Sequence, residues 1–388
     1  MSAAPEPTSS APRMRLAELT TIRVGGPAER VLVARTREEL IRLSGELWDD
    51  GEPWLLLGGG SNTVVSDDGF PGPVLLVRTE GVRVIDDPEL PTDAVRLRAE
   101  AGHDWDALVA LTVDRGWSGI EALSGIPGRT GAAPIQNIGA YGAELSDVLH
   151  SVEFLDRETG EVCQLGPDEL DLGYRHSAIK AGREGVVLSL DLVLRRDDAH
   201  ASPLSAPVGY GQLADALGVT IGDRVSLREL RRAVLRLRAS KGMVLDDTDH
   251  DTWSAGSFFT NPIVSEHFAR SLPASAPRYP LPGAEPSAAV TALDELALGA
   301  SLRLPPPVPS RRVKLSAAWL IEHAGIPRGF RLPGSGAAIS SKHTLAITNQ
   351  GSATAADVAQ LARFVVQRVQ AEFGVILVPE PNVYGLEI

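Results

Sequence analysis

The sequence predicts an α+β protein with more than one domain, and three observations support this. Short apolar runs typical of strands alternate with amphipathic helical stretches along the 388 residues, without an internal repeat. This length exceeds what one hydrophobic core usually serves, so two or three domains are expected. The hydrophobic content of 43% and charged content of 22% are those of a globular protein.

The first part of the chain is predicted to form a strand, a helix and a second strand. Apolar runs at 31–34 and 54–57 flank a helical pattern over 36–47, where Thr36 and Glu39 have the spacing of a capping box. The turn that follows exposes backbone N–H groups suited to a diphosphate, although glycine turns at strand ends are common. Its residues are Gly58, Gly59, Gly60, Ser61 and Asn62.

The remaining elements follow from periodicity. Strands are predicted at 74–77, 82–85, 95–99, 152–155, 162–165, 186–194, 345–348 and 375–378. Helices are predicted at 105–114, 227–240, 315–324 and 354–373. A stretch rich in Pro, Ala and Ser at 271–309 is predicted to be a surface insertion.

Charge and composition exclude several classes of function. A net charge of −13 argues against nucleic acid as the main partner, since phosphate backbones need clustered Lys and Arg. The single cysteine, Cys163, rules out an intrachain disulfide. No histidine has metal-ligand spacing, so no metal is expected. Residues 1–13 predict a disordered leader, not a secretory signal, and no apolar run approaches the ~20 residues of a membrane span.

A second glycine-rich segment, residues 124–142, reads S-G-I-P-G-R-T-G-A-A-P-I-Q-N-I-G-A-Y-G. It holds five glycines, two prolines and one charge, Arg129, which favours backbone wrapped around a large flat or phosphorylated ligand. The alternative is a tight surface loop. Together with the first glycine turn, the segment suits a dinucleotide, with Ser124, Asn137 and Tyr141 as polar contacts.

Three further motifs hold side chains that could carry chemistry. Arg175 in G-Y-R-H-S could bind an anion, Ser257 in S-A-G-S-F-F-T-N-P could donate a proton, and Glu380 lies rigidly between two prolines. From these residues alone, a purely structural interpretation remains open for each motif: a solvated turn at Arg175, a packed turn at Ser257 and a strand-ending turn at Glu380.

Taken together, these motifs resemble the UDP-N-acetylenolpyruvoylglucosamine reductase (MurB) family. The matching segments cover all but the leader and the Pro-rich insertion, and they begin at 19, 58, 124, 174, 241, 254, 317 and 379. The resemblance implies the FAD-binding PCMH or vanillyl-alcohol-oxidase-type fold, with FAD-binding subdomains at 14–78 and 79–222. A C-terminal α+β substrate-binding domain would span 223–388.

The resemblance also implies the reaction. NADPH would reduce FAD, and hydride from flavin N5 would pass to C3 of UDP-N-acetylglucosamine enolpyruvate, giving UDP-N-acetylmuramate for peptidoglycan. Ser257 matches the proton donor to C2, and Arg175 and Glu380 match the other catalytic positions. Cofactor contacts would be Gly58, Gly59, Gly60, Ser61, Asn62, Ser124, Gly125, Ile126, Pro127, Gly128, Asn137, Gly139, Ala140 and Tyr141. Substrate contacts would be Tyr210, Arg238, Lys241 and Asn261.

Neither glycine segment contains the His or Cys that anchors flavin covalently in some relatives of the fold, so non-covalent FAD is expected. A cytoplasmic monomer without membrane or nucleic-acid partners is also expected. Two alternatives remain. Another FAD oxidoreductase of the same fold would not need Ser257 together with Glu380, and a non-catalytic nucleotide-sugar-binding protein would lack a catalytic residue.

Overall fold

The computed structural model describes residues 14–197, 202–281 and 311–388. Its strands, numbered along the chain, are β1 Ala28–Ala34, β2 Leu55–Leu57, β3 Thr63–Val65, β4 Phe70–Val77, β5 Val82–Ile85, β6 Ala94–Glu100, β7 Trp117–Ser118, β8 Gly139–Ala140, β9 Ala143–Glu144, β10 Leu149–Asp156, β11 Val162–Leu165, β12 Gly185–Arg196, β13 Ile263–Ser265, β14 Arg278–Pro280, β15 Arg312–Leu315, β16 Ala337–Ile339, β17 Ile347–Asn349 and β18 Asn382–Tyr384. Its helices are α1 Arg37–Asp50, α2 Trp105–Arg115, α3 Pro167–Leu170, α4 Gly211–Leu217, α5 Leu227–Ser240, α6 Glu266–Ser271, α7 Ala317–His323 and α8 Ala355–Phe373.

A three-stranded parallel sheet opens the fold, in the order β1-β4-β2. The helix between β1 and β2 begins as predicted, because the Thr36 side chain accepts from Glu39 N and the Glu39 carboxylate accepts from Thr36 N. It ends at Gly51, whose φ of 72° suits a residue without Cβ. The predicted strand–helix–strand unit is therefore confirmed, with β4 lying between its two strands.

The largest sheet is antiparallel and has the order β11-β10-β12-β6-β5, with β7 pairing with the end of β12. Phe154, Leu190 and Leu97 are buried on it, and α2 packs into the same core through Trp105 and Leu108. The 124–142 segment packs on this core through Ala133, and Gly131 N donates to Ala101 O, just after β6, at 2.8 Å. The segment therefore lies on a rigid support.

A second core forms around the long helix α8 and the small sheets β13-β15-β14 and β16-β17. Phe258 and Phe259 are fully buried in it. Ile22, Val24 and Val64, from the start of the chain, also belong to this core. The predicted domain boundaries stay predictions, but the chain's two ends share one core.

The C-terminal strand corrects one prediction. Residues 375–378, predicted as a strand, form no β-ladder, and Ile376 and Val378 are exposed. The last strand is instead β18, which pairs in parallel with β3 through Asn382 and Thr63. Pairing with the distant strand β3 begins only at Asn382, so the apolar run at 375–378 has no partner strand among the described residues.

The predicted insertion also needs correction at its start. Ser271 ends α6, Leu272 and Ala276 are buried, and Arg278–Pro280 forms β14. Residues 282–310, most of the predicted insertion, and the leader 1–13 lie outside the described residues. Leu315 ends a strand rather than starting a helix, since α7 begins at Ala317 after the Ser316 cap. Across the described ranges, no helix is long and apolar enough to cross a membrane.

Candidate active site

A half-open cavity of about 350 Å³ lies where the 124–142 segment meets the turn at Ser257 and the C-terminal segment at Glu380. Most of the residues predicted from sequence line it: Ser61, Asn62, Ile126, Pro127, Gly128, Gly139, Ala140, Tyr141, Arg175, Tyr210, Arg238, Lys241, Ser257 and Glu380. Seven predicted residues are outside its lining: Gly58, Gly59, Gly60, Ser124, Gly125, Asn137 and Asn261.

One wall of the cavity is apolar and comes from the second glycine segment. Ile126, Pro127, Ala133, Ile135 and Ile138 contribute side chains there. An apolar wall beside backbone-rich loops suits a flat aromatic ring joined to a diphosphate. These residues therefore fit FAD.

The two glycine segments meet directly. A Cβ on Gly59 would lie 2.7 Å from Gly128 Cα, and the Ser61 hydroxyl donates to Pro127 O at 2.9 Å. A Cβ on Gly60 would likewise collide with Leu19 O at 2.0 Å. Gly59 thus allows the two glycine segments to pack against each other, and Gly60 allows the first of them to pack on Leu19.

Gly59→Ala is expected to lower the free energy of unfolding by about 1–3 kcal/mol, because backbone rather than a flexible side chain opposes the new methyl. Urea unfolding would measure this. Gly45→Ala is the matched control, since no atom lies within 4 Å of its Cβ position in α1. That variant should gain about 0.4–1 kcal/mol. Equal effects at the two positions would contradict the packing role of Gly59.

Among the described residues, five non-glycine residues have positive φ, and three of these lie at or next to the cavity: Asn137 at 43°, Tyr141 at 51° and Arg175 at 51°. Such conformations are unfavourable and persist where surrounding contacts enforce them, often at functional sites. Asn137 supplies those contacts: its amide donates to Glu144, Ser146 and Gly173 O, while its oxygen accepts from Ser146 N. Its side chain holds the loop rather than facing the cavity.

Arg175 and Glu380 form an ion pair within the cavity. Arg175 Nε lies 2.9 Å from Glu380 Oε1, although its N–H is not aimed at that oxygen. Arg175 also donates from Nη1 to Asn137 O and from Nη2 to Gly139 O. Burial raises the pKa of Glu380 above its ordinary value, against the lowering effect of Arg175 and Lys180.

The C-terminal return, the segment after α8 that comes back to pair β18 with β3, places Glu380 beside the Ser257 turn. Glu380 N donates to Phe258 O at 2.9 Å, and Asn62 Nδ2 donates to Glu380 O at 3.3 Å. Ser257 follows Gly256, whose φ is 74°, and is anchored by the two buried phenylalanines after it. Its hydroxyl forms no hydrogen bond with any residue that the structure describes. It is therefore free to bond a ligand.

Two cations at the end of α5 face the same cavity. Arg238 donates from Nη2 to Met243 O at 2.9 Å, but its buried Nε has no hydrogen-bond partner among the described residues. Lys241 donates to Gln212 Oε1 at 2.7 Å. Asp106, a nearby carboxylate, is already paired with Arg231 at 2.6 Å. Burial lowers the pKa of both Arg238 and Lys241, so an anionic ligand is expected between them.

Two tyrosines stand beside these cations. Tyr141 and Tyr210 meet edge to face at 5.9 Å, and Lys241 Nζ lies 5.6 Å from the Tyr141 ring centre. Tyr210 is 45% exposed and precedes the short helix α4. It therefore lies at the mouth of the cavity, where a lid residue would be needed.

The other predicted residues outside the lining have structural contacts. The buried Ser124 hydroxyl donates to Glu121 O at 2.6 Å, and Asn261 Oδ1 accepts from Ala317 N at 2.9 Å. Gly125 packs on α5, because a Cβ there would lie 2.8 Å from Leu235 Cδ2. Gly58 O accepts from Arg78 Nη1 at 2.8 Å. Direct ligand contacts by these residues stay predictions.

Sequence reasoning assigned no contact to five polar residues of the cavity lining: Arg129, Gln136, Lys180, His343 and Asn382. Gln136 Oε1 accepts from Asn62 Nδ2 at 3.1 Å. Lys180 lies five residues after Arg175, so proximity to that motif was an available signal. His343 had no such signal, because it reaches the cavity from a loop between β16 and β17.

His343 predicts a pH dependence of stability. Burial, with the positive charges of Lys241 and Arg328, lowers the pKa of His343 to about 4 from 6.5. Stability from the neutral ring is complete above pH 6.5 and falls as pH drops toward 4, because the unfolded chain binds the proton first. The loss in free energy of unfolding should reach about 3 kcal/mol.

Unfolding of His343→Asn across this pH range should show a smaller loss of stability. The exposed His267→Asn control should match wild type, and an unchanged pH profile in both would contradict the assignment.

Comparison with known proteins agrees with this geometry. A sequence profile described as FAD binding domain matches residues 28–166, and one described as UDP-N-acetylenolpyruvoylglucosamine reductase, C-terminal domain, matches 247–384. The predicted FAD-binding fold and FAD cofactor are thereby confirmed. The crystal structure of UDP-N-acetylenolpyruvylglucosamine reductase (MurB) from Thermus caldophilus has a TM-score of 0.59 and 26% identity, covering 96% of this chain and 98% of that one.

Curated relatives extend over almost the whole chain. The UDP-N-acetylenolpyruvoylglucosamine reductase of Leifsonia xyli is 59% identical, covering 96% of this chain and 98% of its own length. That of Saccharopolyspora erythraea is 49% identical, covering 94% and 93%. The protein described here, an FAD-binding oxidoreductase, belongs to the UDP-N-acetylenolpyruvoylglucosamine reductase family.

Proposed function

We propose that this protein is an NADPH-dependent UDP-N-acetylmuramate dehydrogenase, which reduces UDP-N-acetylglucosamine enolpyruvate for peptidoglycan precursor synthesis. One observation carries the proposal: Arg175, Ser257 and Glu380, distant in sequence, line one cavity beside an apolar glycine-loop wall. The family uses FAD and NADPH. The relatives' shared name supports the substrate.

FAD would be held without a covalent bond, since neither glycine segment contains His or Cys. The backbone at Ile126, Gly128 and Gly139 would line its ring and chain, and Ser61 and Asn62 would supply polar contacts. When bound, the flavin supplies the hydride that is added to C3 of the enolpyruvyl group. The remaining tasks are substrate binding, charge stabilisation and proton transfer by the protein.

Ser257 would donate the proton that C2 needs after addition at C3. A serine hydroxyl is a weak acid, so nearby charges must stabilise the negative charge left on its oxygen. Arg175 lies in the same cavity, and only part of its donor set is used by backbone carbonyls. Glu380 would act either as the electrostatic partner of Arg175 or as a relay that returns a proton to the Ser257 oxygen.

The UDP part of the substrate would lie toward α5. Arg238 and Lys241 offer a buried, incompletely paired positive region that suits a diphosphate. Tyr210 would close over it from the cavity mouth. Asn261, another predicted substrate contact, is bonded to Ala317 N and would act chiefly by supporting the Ser257 turn.

An anaerobic experiment tests the proposal. The purified protein should show flavin absorbance, lose it on addition of NADPH, and recover it on addition of UDP-N-acetylglucosamine enolpyruvate. Mass spectrometry should then detect UDP-N-acetylmuramate. If the reduced flavin is not reoxidised by this substrate, the proposed function is wrong.

A further inference from the structure

Lys180 is a cation of the cavity to which the reaction above gives no task. It lines the cavity together with Arg175, Ser257 and Glu380. Its backbone N donates to the Ser177 hydroxyl at 3.1 Å, and that hydroxyl donates to Ile135 O. The segment carrying Lys180 is therefore fastened to the 124–142 segment, which forms the apolar wall.

Among the described residues, the ammonium group of Lys180 has no bonding partner that would give it a structural role. It makes no hydrogen bond or ion pair with residues of the described ranges. The charges that act on it are those of Glu380 and Arg175. The side chain as a whole is exposed, although partial burial lowers the pKa of Lys180. Its ammonium is therefore accessible to a ligand in the cavity.

The charges of this part of the cavity are unbalanced. Arg175 and Lys180 are positive and an ionised Glu380 is negative, which leaves one excess positive charge facing the open space. Glu380 is already engaged by Arg175 at 2.9 Å. One carboxylate on a ligand would restore the balance and would find Lys180 with its donors free.

We infer that Lys180 binds the carboxylate of the enolpyruvyl group and stabilises the charge that grows on it during the reaction. This inference rests on the proposed function. Hydride addition to C3 breaks the C2–C3 π bond, whose electron pair moves through C2 onto the carboxylate oxygens. Transfer of the Ser257 proton to C2 returns that pair to a C–H bond and restores a single carboxylate charge. A fixed cation at this carboxylate therefore binds the transition state more tightly than the substrate.

Two ligands that differ by the carboxylate test the inference directly. Calorimetry would compare UDP-N-acetylglucosamine with its enolpyruvyl ether on the oxidised holoenzyme. Lys180→Met should weaken binding of the ether about 10- to 100-fold and leave UDP-N-acetylglucosamine unchanged. Lys180→Arg should recover part of the loss, and Lys314→Met, outside the cavity lining, should behave as wild type.

Stopped-flow kinetics supply the second readout. In Lys180→Met, reoxidation of reduced flavin at saturating ether should be slower than in wild type, while reduction by NADPH should proceed at the same rate. Equal weakening of both ligands, or no change for the ether, would overturn the inference. Failure of the proposed function would be distinct, since the wild-type enzyme itself would then not be reoxidised by the ether.

Discussion

Ser257→Ala is expected to slow reoxidation of the reduced flavin by substrate about 10²- to 10⁴-fold, the usual contribution of a positioned general acid. The variant removes one hydroxyl that has no hydrogen bond with the described part of the protein. The turn itself is held by Phe258, whose N donates to Leu345 O at 2.7 Å. Loss of the hydroxyl should thus remove the proton and leave the fold intact.

Stopped-flow absorbance separates the two halves of the reaction. Reduction of Ser257→Ala by NADPH should match that of wild type, and only reoxidation should be slow. Ser240→Ala is the matched control, because Ser240 lies exposed at the end of α5 and bonds only Leu237 O. If Ser257→Ala is reoxidised as fast as this control, the proton comes from another group.

Arg238→Met is expected to have two opposite effects. Binding of UDP should weaken about 10- to 100-fold, since a charged hydrogen-bond donor to the diphosphate is lost. The ligand-free protein should become more stable, because burying the incompletely paired guanidinium costs more than the lost Nη2 bond to Met243 O contributes, and Met can fill the space beside Gly125. A residue kept for folding would instead lose stability and leave UDP affinity unchanged.

Calorimetry with UDP and thermal unfolding of the ligand-free protein measure the two effects. Arg236→Met is the control, because Arg236 lies on the same helix with its side chain exposed. It should change neither UDP affinity nor stability appreciably. A destabilised Arg238→Met with normal UDP affinity would assign Arg238 to the fold rather than to the ligand.

Local patterns predicted most helices and many strands correctly. The helix from Leu227 to Ser240 was predicted with both ends, and α8 begins after the Thr354 cap. These predictions succeeded because helix periodicity and capping involve neighbouring residues. The strand predicted at 375–378 was wrong because pairing in a sheet depends on a partner that is often distant in sequence. Here Thr63–Val65 pairs with Asn382–Tyr384 instead.

The candidate site likewise has features that local sequence patterns predicted and features that they did not. Its motifs were recognisable because glycine, arginine and serine occur there in unusual local patterns. Lys180 and His343 were missed, since a lysine or histidine in a sequence is usually solvated or simply packed, and only three-dimensional proximity to Glu380 or Lys241 distinguishes them. The positive φ of Arg175 could not be predicted either, because an arginine in a sequence does not indicate a left-handed backbone conformation.

By itself, the sequence determined the α+β class, the glycine segments and the residue types available for binding and proton transfer, because these depend on composition and short spacing. Only the tertiary structure decided that Gly59 serves loop packing, that Asn137 holds a loop, and that Glu380 lies beside the Ser257 turn. The physical reason is the C-terminal return, in which β18 pairs with β3. That long-range contact gathers the separated charges around one cavity.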